Sequence, residues 1–385
     1  MNQTLSSAFV RADAVQLHDF ARLCEQQARP EGYPHCNEVR GNVPIYQAQT
    51  LLDADRHALM SELHRLFRDG PGVMVVRQGY ADLDVVDRHS QVFQAIFARE
   101  AIEGVAADHF AKAGSNGRIW NSLQKAALHS PSSFVEYYAN PLLGLIAEAW
   151  LGPHFQVTAQ VNVVHPGGQA QQPHRDYHLG FQTVAEVERF PLPLQVLSQY
   201  LTLQGAVAHS DMPLETGPTL LLPFSQQYAQ GYLAWRRPEF IDYFQRHAVQ
   251  LPLNKGDLLF FNPALFHAAG SNHTPDRQRM ANLLQISSAF GKPMEALDHE
   301  RMMLALYPCL LQRLTDQLLD PQELAAVIAC TADGYSFPTN LDTDPPLHGL
   351  APQTGQQLML QALSERWPYP AFAERVAQMH AKRQA

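Results

Sequence analysis

Residues 155–176 of the chain read FQVTAQVNVVHPGGQAQQPHRD, and this stretch decides the fold. In its first half, apolar residues from Phe155 to Val163 alternate with polar residues from Gln156 to Asn162. Because successive side chains of a strand point to opposite faces, this period of two predicts a strand with one apolar and one polar face. Pro166-Gly167-Gly168 ends the strand. The sequence therefore predicts a β segment that leads through a turn to His174-Arg175-Asp176.

Further strand-like runs occur on both sides of this segment. They are Val73 to Val76, Leu194 to Val207, Thr219 to Leu222, Leu258 to Phe261 and Leu283 to Ser287. Several strands without regular intervening helices favour an antiparallel sandwich or barrel over a doubly wound parallel sheet.

Local signals predict helices around this β region. After Asp53, an apolar stripe at helical spacing runs to a turn at Asp69-Gly70. Asn140 followed by Pro141 has the pattern of an N-cap and a first helical residue, and Gly152-Pro153 ends that helix.

The helical pattern returns at the C-terminal end. Pro308 is expected to kink or split a helix between Glu300 and Leu319, and Asp320-Pro321 begins another. We predict a single domain in three parts. These are an N-terminal helical part (1–71), a β core that includes the helix at 140–151 (72–290), and a C-terminal helical layer (291–385).

Composition limits the class of protein. The net charge of −9 and the scattered Lys and Arg argue against nucleic-acid binding. No apolar run approaches the roughly 20 residues of a membrane span, and the first eleven residues lack a signal-peptide pattern. The four cysteines form no Cys-x-x-Cys, which favours free thiols in a reducing compartment. We expect a cytoplasmic protein without a nucleic-acid or membrane partner.

His174, Asp176 and His267 are the candidate metal ligands. In a strand, His-x-Asp places both side chains on one face. A second histidine from a neighbouring strand completes two imidazoles and one carboxylate, the set that suits non-haem Fe(II) oxygenases because it leaves positions open. His267 follows the apolar run Leu258 to Phe261.

A second His-x-Asp, His209-Ser210-Asp211, is a competing ligand pair. Asp and Ser favour turns, and the residues that follow look like a loop between strands. The sequence favours His174 and Asp176 as the ligands and leaves the other pair as an alternative.

An arginine near the metal suggests an acidic cosubstrate. Guanidinium binds a carboxylate through parallel hydrogen bonds and stays charged when buried. Arg277 and Arg279 are both candidates, and Arg279 is favoured because it directly precedes an apolar strand while Arg277 follows Asp276 in a loop.

Together these segments resemble the phytanoyl-CoA dioxygenase-like family, from about Leu66 to Ser287. The matching segments are Phe67-Arg68-Asp69-Gly70, the helix from Asn140 to Pro153, Pro173-His174-Arg175-Asp176, and His267 to Asn272 with Arg279 beyond.

The resemblance implies an α+β fold with a double-stranded β-helix (jelly-roll) core and Fe(II), 2-oxoglutarate and dioxygen as requirements. It makes Arg279 the residue that binds 2-oxoglutarate, and it makes Asn162 a polar contact to that cosubstrate. Related halogenases lack the carboxylate, so Asp176 favours hydroxylation.

The function predicted is therefore an Fe(II)- and 2-oxoglutarate-dependent dioxygenase that hydroxylates a C–H bond of a small organic substrate, with succinate and CO2 as by-products. A zinc hydrolase with the same ligands and a cupin-like metal-binding protein without catalysis stay open as alternatives. Desaturation, epoxidation and ring closure stay open as reactions, as do the substrate and the oligomeric state.

Overall fold

The computed structural model describes residues 8–104, 116–346 and 349–384. Its strands are β1 (Glu38–Arg40), β2 (Val43–Gln47), β3 (Val73–Arg77), β4 (Asn116–Ile119), β5 (Gln156–Val164), β6 (Thr202–Ala208), β7 (Leu220–Leu222), β8 (Leu258–Phe261), β9 (Phe266–Ala268) and β10 (Arg279–Ser287). Its helices are α1 (Leu17–Cys24), α2 (Ala48–Asp53), α3 (Arg56–Arg68), α4 (Leu83–Glu103), α5 (Ser122–His129), α6 (Pro131–Tyr138), α7 (Pro141–Leu151), α8 (Val184–Val187), α9 (Leu192–Ser198), α10 (Gly231–Ala234), α11 (Pro238–His247), α12 (His299–Thr315), α13 (Pro321–Ala329), α14 (Gly355–Ser364) and α15 (Tyr369–Arg383). The predicted α+β class is confirmed.

The described chain divides into two compact units. The first comprises residues 8–79, 116–117 and 163–281, and the second comprises 80–104, 118–162, 282–346 and 349–384. Strands β4, β5 and β10 are each divided between the units. All three candidate metal ligands belong to the first unit.

The first unit contains a sheet with the order β1-β2-β3-β8-β6. Strands β2 and β3 are parallel, with Ile45 opposite Val75, and the other neighbours are antiparallel. Leu259 of β8 lies opposite Val75 on one side and Ala206 on the other. Every residue of β6 and β8 is buried, so their apolar runs are those of strands covered on both faces.

A second, smaller sheet of the first unit carries the histidines. Strands β7 and β9 are antiparallel, with Leu221 opposite His267. Isolated bridges extend this sheet on both sides, from His267 to His174 and from Leu221 to Val249. These are the two sheets of the predicted jelly-roll core, which is confirmed.

The helix predicted from an apolar stripe and the helix predicted from a cap are both present. Asp55 caps α3 by accepting a hydrogen bond from the Ala58 N–H, and the predicted stripe of α3 is buried. Asn140 caps α7 through the Leu142 N–H, and Gly152 ends it with a φ of 75°. That left-handed conformation is one that glycine adopts without strain.

The C-terminal helical layer is also present. Asp320 begins α13 with a capping box, in which its side chain accepts from the Glu323 N–H and Glu323 bonds back to Asp320. Pro308 does not split its helix, because α12 continues through it to Thr315. Within the described ranges, no helix combines the length and the apolar character needed to cross a bilayer.

The strand predicted from Leu194 to Val207 is wrong in its first half. Residues Leu192–Ser198 form α9, and the strand β6 begins only at Thr202. Pro191 and Pro193 explain the difference, because proline cannot donate to a strand ladder and is favoured in the first turn of a helix.

The alternating strand is confirmed as β5, but its polar face is buried. The exposed fractions of Thr158, Gln160 and Asn162 are 0%, 2% and 5%. The Thr158 hydroxyl donates to the Gln285 carbonyl at 3.0 Å, so packing supplies a partner for this side chain. Alternation in the sequence therefore distinguished the two faces of β5 without showing that both are buried.

The N-terminal part is not wholly helical. Besides α1, α2 and α3, it contributes β1 and β2 to the larger sheet. Neither strand has an alternating pattern long enough to be read from the sequence, and β2 pairs with a strand about thirty residues away in the chain. That the whole chain is one domain with boundaries at 71 and 290 stays a prediction.

A buried carboxylate fixes the start of β8 in the larger sheet. Asp257, exposed to 2%, accepts a hydrogen bond from the Arg77 guanidinium at 2.5 Å. It also accepts from the backbone N–H groups of Gln78 at 3.0 Å and Asn254 at 2.8 Å. The end of β3 and the turn before β8 therefore depend on the same side chain.

We expect Asp257→Ala to lower the free energy of unfolding by about 3 kcal/mol or more, because it leaves a partly buried cation and two N–H groups without their acceptor. Urea denaturation measures the change. The control is Asp276→Ala at an exposed position, which should change the stability by less than about 0.5 kcal/mol. Equal stability of the two variants would contradict this role for Asp257.

Candidate metal centre

Two backbone hydrogen bonds bring the two histidines together. The His174 N–H donates to the His267 carbonyl at 3.0 Å, and the His267 N–H donates to the His174 carbonyl at 3.1 Å. Residues paired in this way present their side chains on the same side of a sheet. The centroids of the two imidazole rings lie 4.4 Å apart.

Asp176 joins the same face because it lies two residues after His174. Its Oδ1 lies 3.7 Å from His174 Nε2, and its Oδ2 lies 3.6 Å from His267 Nε2. Each residue offers one ligand atom, and these atoms lie within 4.8 Å of one another. Across the described part of the chain, no other set of three or more His, Cys, Asp or Glu side chains has this spacing.

Hydrogen bonds select the ring nitrogen that each histidine presents. His174 Nδ1 lies 2.9 Å from the Gln172 carbonyl, and His267 Nδ1 lies 2.9 Å from the Leu265 carbonyl. A carbonyl oxygen only accepts, so both Nδ1 atoms carry the proton and donate it. Each Nε2 therefore has a free lone pair that faces the other ligands, as a metal site requires.

The charges of the three groups suit a divalent cation. Burial lowers the pKa of His174, which favours its neutral form. Burial raises the pKa of Asp176, but the neighbouring His174 and His267 and the hydrogen bond from Gln204 outweigh it and hold the pKa of Asp176 below its ordinary value. Two imidazoles and one carboxylate form the donor set, which fits Fe(II).

Arg279 is the first residue of β10, and its guanidinium is partly unsatisfied. Nε donates to the Thr216 carbonyl at 3.0 Å, while Nη2 is buried without a hydrogen-bond acceptor among the described residues. Burial lowers the pKa of Arg279 to about 10, so it is still charged at neutral pH. A fixed cation with a free terminal donor fits the carboxylate of 2-oxoglutarate. Arg277, by contrast, is exposed.

Asn162, the other candidate contact for the cosubstrate, lies on β5 in the second unit. Its side chain is buried, and Oδ1 has no hydrogen-bond donor within the described ranges. That leaves an acceptor for a ligand or a water molecule, and its contact with 2-oxoglutarate stays a prediction.

The competing pair at 209–211 does not join these ligands. Asp211 is exposed and accepts a hydrogen bond from the Lys255 N–H at 2.9 Å. His209 follows β6 and is buried, although a surface turn was expected for it. The pair forms part of a loop, as predicted, and is not in the group with metal-ligand spacing.

Arg175 was not singled out by the sequence analysis, yet it packs directly behind the ligands. Its side chain is 2% exposed and donates to the carbonyls of Ser225 and Tyr228. Its guanidinium carbon lies 5.3 Å from the ring centroid of Tyr232 and 5.2 Å from that of Phe266. The signal available was strand alternation, which sends the middle residue of His-x-Asp to the opposite face.

Tyr232 links this arginine to the backbone of Asp176. Its hydroxyl donates to the backbone carbonyl of Asp176 at 2.9 Å, while its ring packs under Arg175. The Asp176 side chain accepts a further bond from Gln204 on β6. The sequence analysis did not identify Gln204 either, although it is a polar residue within an apolar run.

The match with known proteins is to one family. The family model described as Phytanoyl-CoA dioxygenase (PhyH) matches residues 67–281. No curated protein matches the chain.

Solved structures similar to this chain include SnoN, SnoK and HygX. A non-heme alpha ketoglutarate dependent epimerase, SnoN from nogalamycin biosynthesis, is 20% identical, with a TM-score of 0.42 over 61% of this chain and 85% of that one. The carbocyclase SnoK from the same biosynthesis is 18% identical, with a TM-score of 0.41 over 61% and 87%. HygX from Streptomyces hygroscopicus, with nickel and 2-oxoglutarate bound, is 14% identical, with a TM-score of 0.41 over 62% and 90%.

We expect Gly231→Ala to lower the free energy of unfolding by about 1–3 kcal/mol. A Cβ at Gly231 would lie 1.8 Å from Arg175 Cζ, and the buried guanidinium cannot move without breaking its carbonyl bonds. The control is Gly144→Ala within α7, where the nearest atom to the new Cβ is Phe155 Cζ at 3.8 Å. That variant should gain about 0.5–1 kcal/mol in urea denaturation, and a Gly231→Ala protein that gains as much would show that Arg175 is not held in place.

Proposed function

The chain belongs to the phytanoyl-CoA dioxygenase family and is thus an Fe(II)- and 2-oxoglutarate-dependent dioxygenase, and on that premise we propose that it hydroxylates a C–H bond of a small organic substrate. The observation that carries the proposal is the complete set of His174, Asp176 and His267 on one face. Succinate and CO2 are the expected products of the cosubstrate.

In this proposal the three side chains hold Fe(II) and leave the rest of its coordination sphere open. The bound metal, with 2-oxoglutarate and dioxygen, supplies the oxidising chemistry. The protein contributes fixed geometry. Both imidazoles are locked by bonds from Nδ1 to carbonyls, so their Nε2 atoms need no rearrangement to bind.

Arg279 is proposed to bind the carboxylate of 2-oxoglutarate that lies away from the metal. Its Nε is held by the Thr216 carbonyl, which leaves the terminal nitrogens for the ligand. The free, buried Nη2 supports this role, because an unpaired donor in a buried position is costly unless a ligand completes it.

Asp176 supports hydroxylation over halogenation. A halide needs the position that a carboxylate ligand otherwise occupies, and here the carboxylate lies within the ligand group. Family membership also supports an oxygenase over the alternatives of a zinc hydrolase and a binding protein without catalysis.

The first test is anaerobic absorption spectroscopy of the purified protein. Addition of Fe(II) and then 2-oxoglutarate should produce a weak visible charge-transfer band that needs both. We expect His174→Ala to lose the band and His209→Ala, which alters the competing pair, to keep it. If the folded protein binds Fe(II) without forming the band, the proposed oxygenase function is wrong. If only His209→Ala loses the band, the metal site lies at the competing pair and not at His174.

We expect Arg279→Gln to raise the KM for 2-oxoglutarate about 10- to 100-fold, since hydrogen bonds to a charged group contribute about 1.5–3 kcal/mol. Its affinity for Fe(II) should stay unchanged, because Arg279 is not a ligand. Arg277→Gln, at an exposed position two residues earlier, is the matched control and should behave as wild type. Steady-state succinate formation measures both, and an equal effect of the two substitutions would exclude a specific role for Arg279.

A further inference from the structure

Gln204 makes a direct contact with a proposed metal ligand. It lies on β6 with a side chain 4% exposed, and its Nε2 donates to Asp176 Oδ2 at 2.7 Å. The ionised carboxylate only accepts hydrogen bonds, so the NH2 group must face it and the amide cannot be flipped. The carboxamide of Gln204 therefore has a single orientation, with its NH2 group towards Asp176.

The position of Gln204 is set by the larger sheet, whereas Asp176 follows the segment that bridges to the smaller one. Gln204 lies opposite Phe261 of β8 in the antiparallel register. The ring of Phe261 in turn packs against the imidazole of His267, with centroids 4.7 Å apart. Gln204 and Phe261, which lie opposite each other in the larger sheet, thus contact Asp176 and His267 respectively.

The other end of the carboxamide is left incomplete. Gln204 Oε1 is buried and has no hydrogen-bond donor among the residues that the structure describes. A buried acceptor without a donor is unfavourable. The bond to Asp176 therefore sets the orientation of the amide, although this orientation leaves Oε1 without a donor.

We infer that Gln204 is a positioning residue that makes Asp176 bind the metal through Oδ1 alone. Its N–H occupies Oδ2 and holds the carboxylate plane in one rotation, so that Oδ1 is the oxygen left for coordination. This inference rests on the proposed function, because it needs a metal at the three ligands. The proposed role is specific to Gln204, which contacts the Asp176 carboxylate directly.

Single-oxygen binding by Asp176 has a chemical consequence. Three protein ligands with one donor atom each leave one face of an octahedral site open. With a metal bound, 2-oxoglutarate would take two of these positions and leave the third for dioxygen. A carboxylate that bound through both oxygens would take that third position. Gln204 is thus expected to preserve the place where dioxygen binds.

The test uses Co(II), which reports coordination without turnover. In titrations of the whole protein under inert gas, we expect Gln204→Met to weaken Co(II) binding about 10- to 100-fold, the usual effect of losing a hydrogen bond to a metal ligand. We also expect its visible d–d absorption to differ from that of wild type, because the second oxygen of Asp176 would replace a solvent ligand of the metal. Gln204→Leu serves as a second variant should the methionine substitution not fold.

Gln195→Met is the matched control. Gln195 is also a fully buried glutamine of the first unit, but its Nε2 donates to the carbonyls of Val187 and Phe190 and not to a ligand. It should lose stability in thermal unfolding and keep the wild-type Co(II) affinity and spectrum. A merely structural role for Gln204 would make the two substitutions behave alike.

The outcomes separate this inference from the proposed function. Wild-type affinity and spectrum in Gln204→Met would overturn the inference alone. Failure of the wild-type protein to bind Co(II), or equal binding by His174→Ala, would overturn the proposed metal site and the inference with it. Weaker binding and an altered spectrum in Gln204→Met, with neither change in Gln195→Met, would establish the role.

Discussion

The backbone pairing of His174 with His267 is the constraint on which the site depends. The two residues exchange both of their N–H to carbonyl hydrogen bonds, which fixes the register of the segment around His174 against β9. A shift of that register by one residue would send His174 and Asp176 to the opposite face and bring Arg175 to the metal side. The metal ligands are therefore specified by strand pairing before any ligand binds.

The segment that carries Asp176 is held from two directions, and this limits how it can move. On the metal side, Gln204 donates to the Asp176 carboxylate. Behind it, Tyr232 donates to the Asp176 carbonyl, and Arg175 packs over the ring of Tyr232. Cation–π contacts that are removed from water contribute about 2 kcal/mol. Catalytic geometry and core packing thus share the same few residues, so a change in one is expected to affect the other.

The sequence predicted what local signals encode. Caps and stripes located α3 and α7, and the spacing of His-x-Asp located two ligands, because each depends on residues close together in the chain. The wrong first half of the strand predicted from Leu194 shows where local signals conflict, since these apolar residues continue a helix whose first turn contains Pro193. Strand β2 and Gln204 could not have been found, because one depends on pairing with a distant strand and the other on a contact between sheets.

The hydrogen bonds of two buried arginines, Arg175 and Arg279, differ in a way that supports different roles for them. Neither Arg175 nor Arg279 forms an ion pair within the described ranges, and burial lowers the pKa of each to about 10. The Nη2 of Arg175 donates to two carbonyls and its guanidinium lies over two aromatic rings, so its outer end is complete within the protein. Arg279 has the reverse arrangement, with Nε bonded and Nη2 free. A buried terminal donor without an acceptor is unfavourable, and this supports the proposal that a carboxylate from outside the chain binds to the outer end of Arg279.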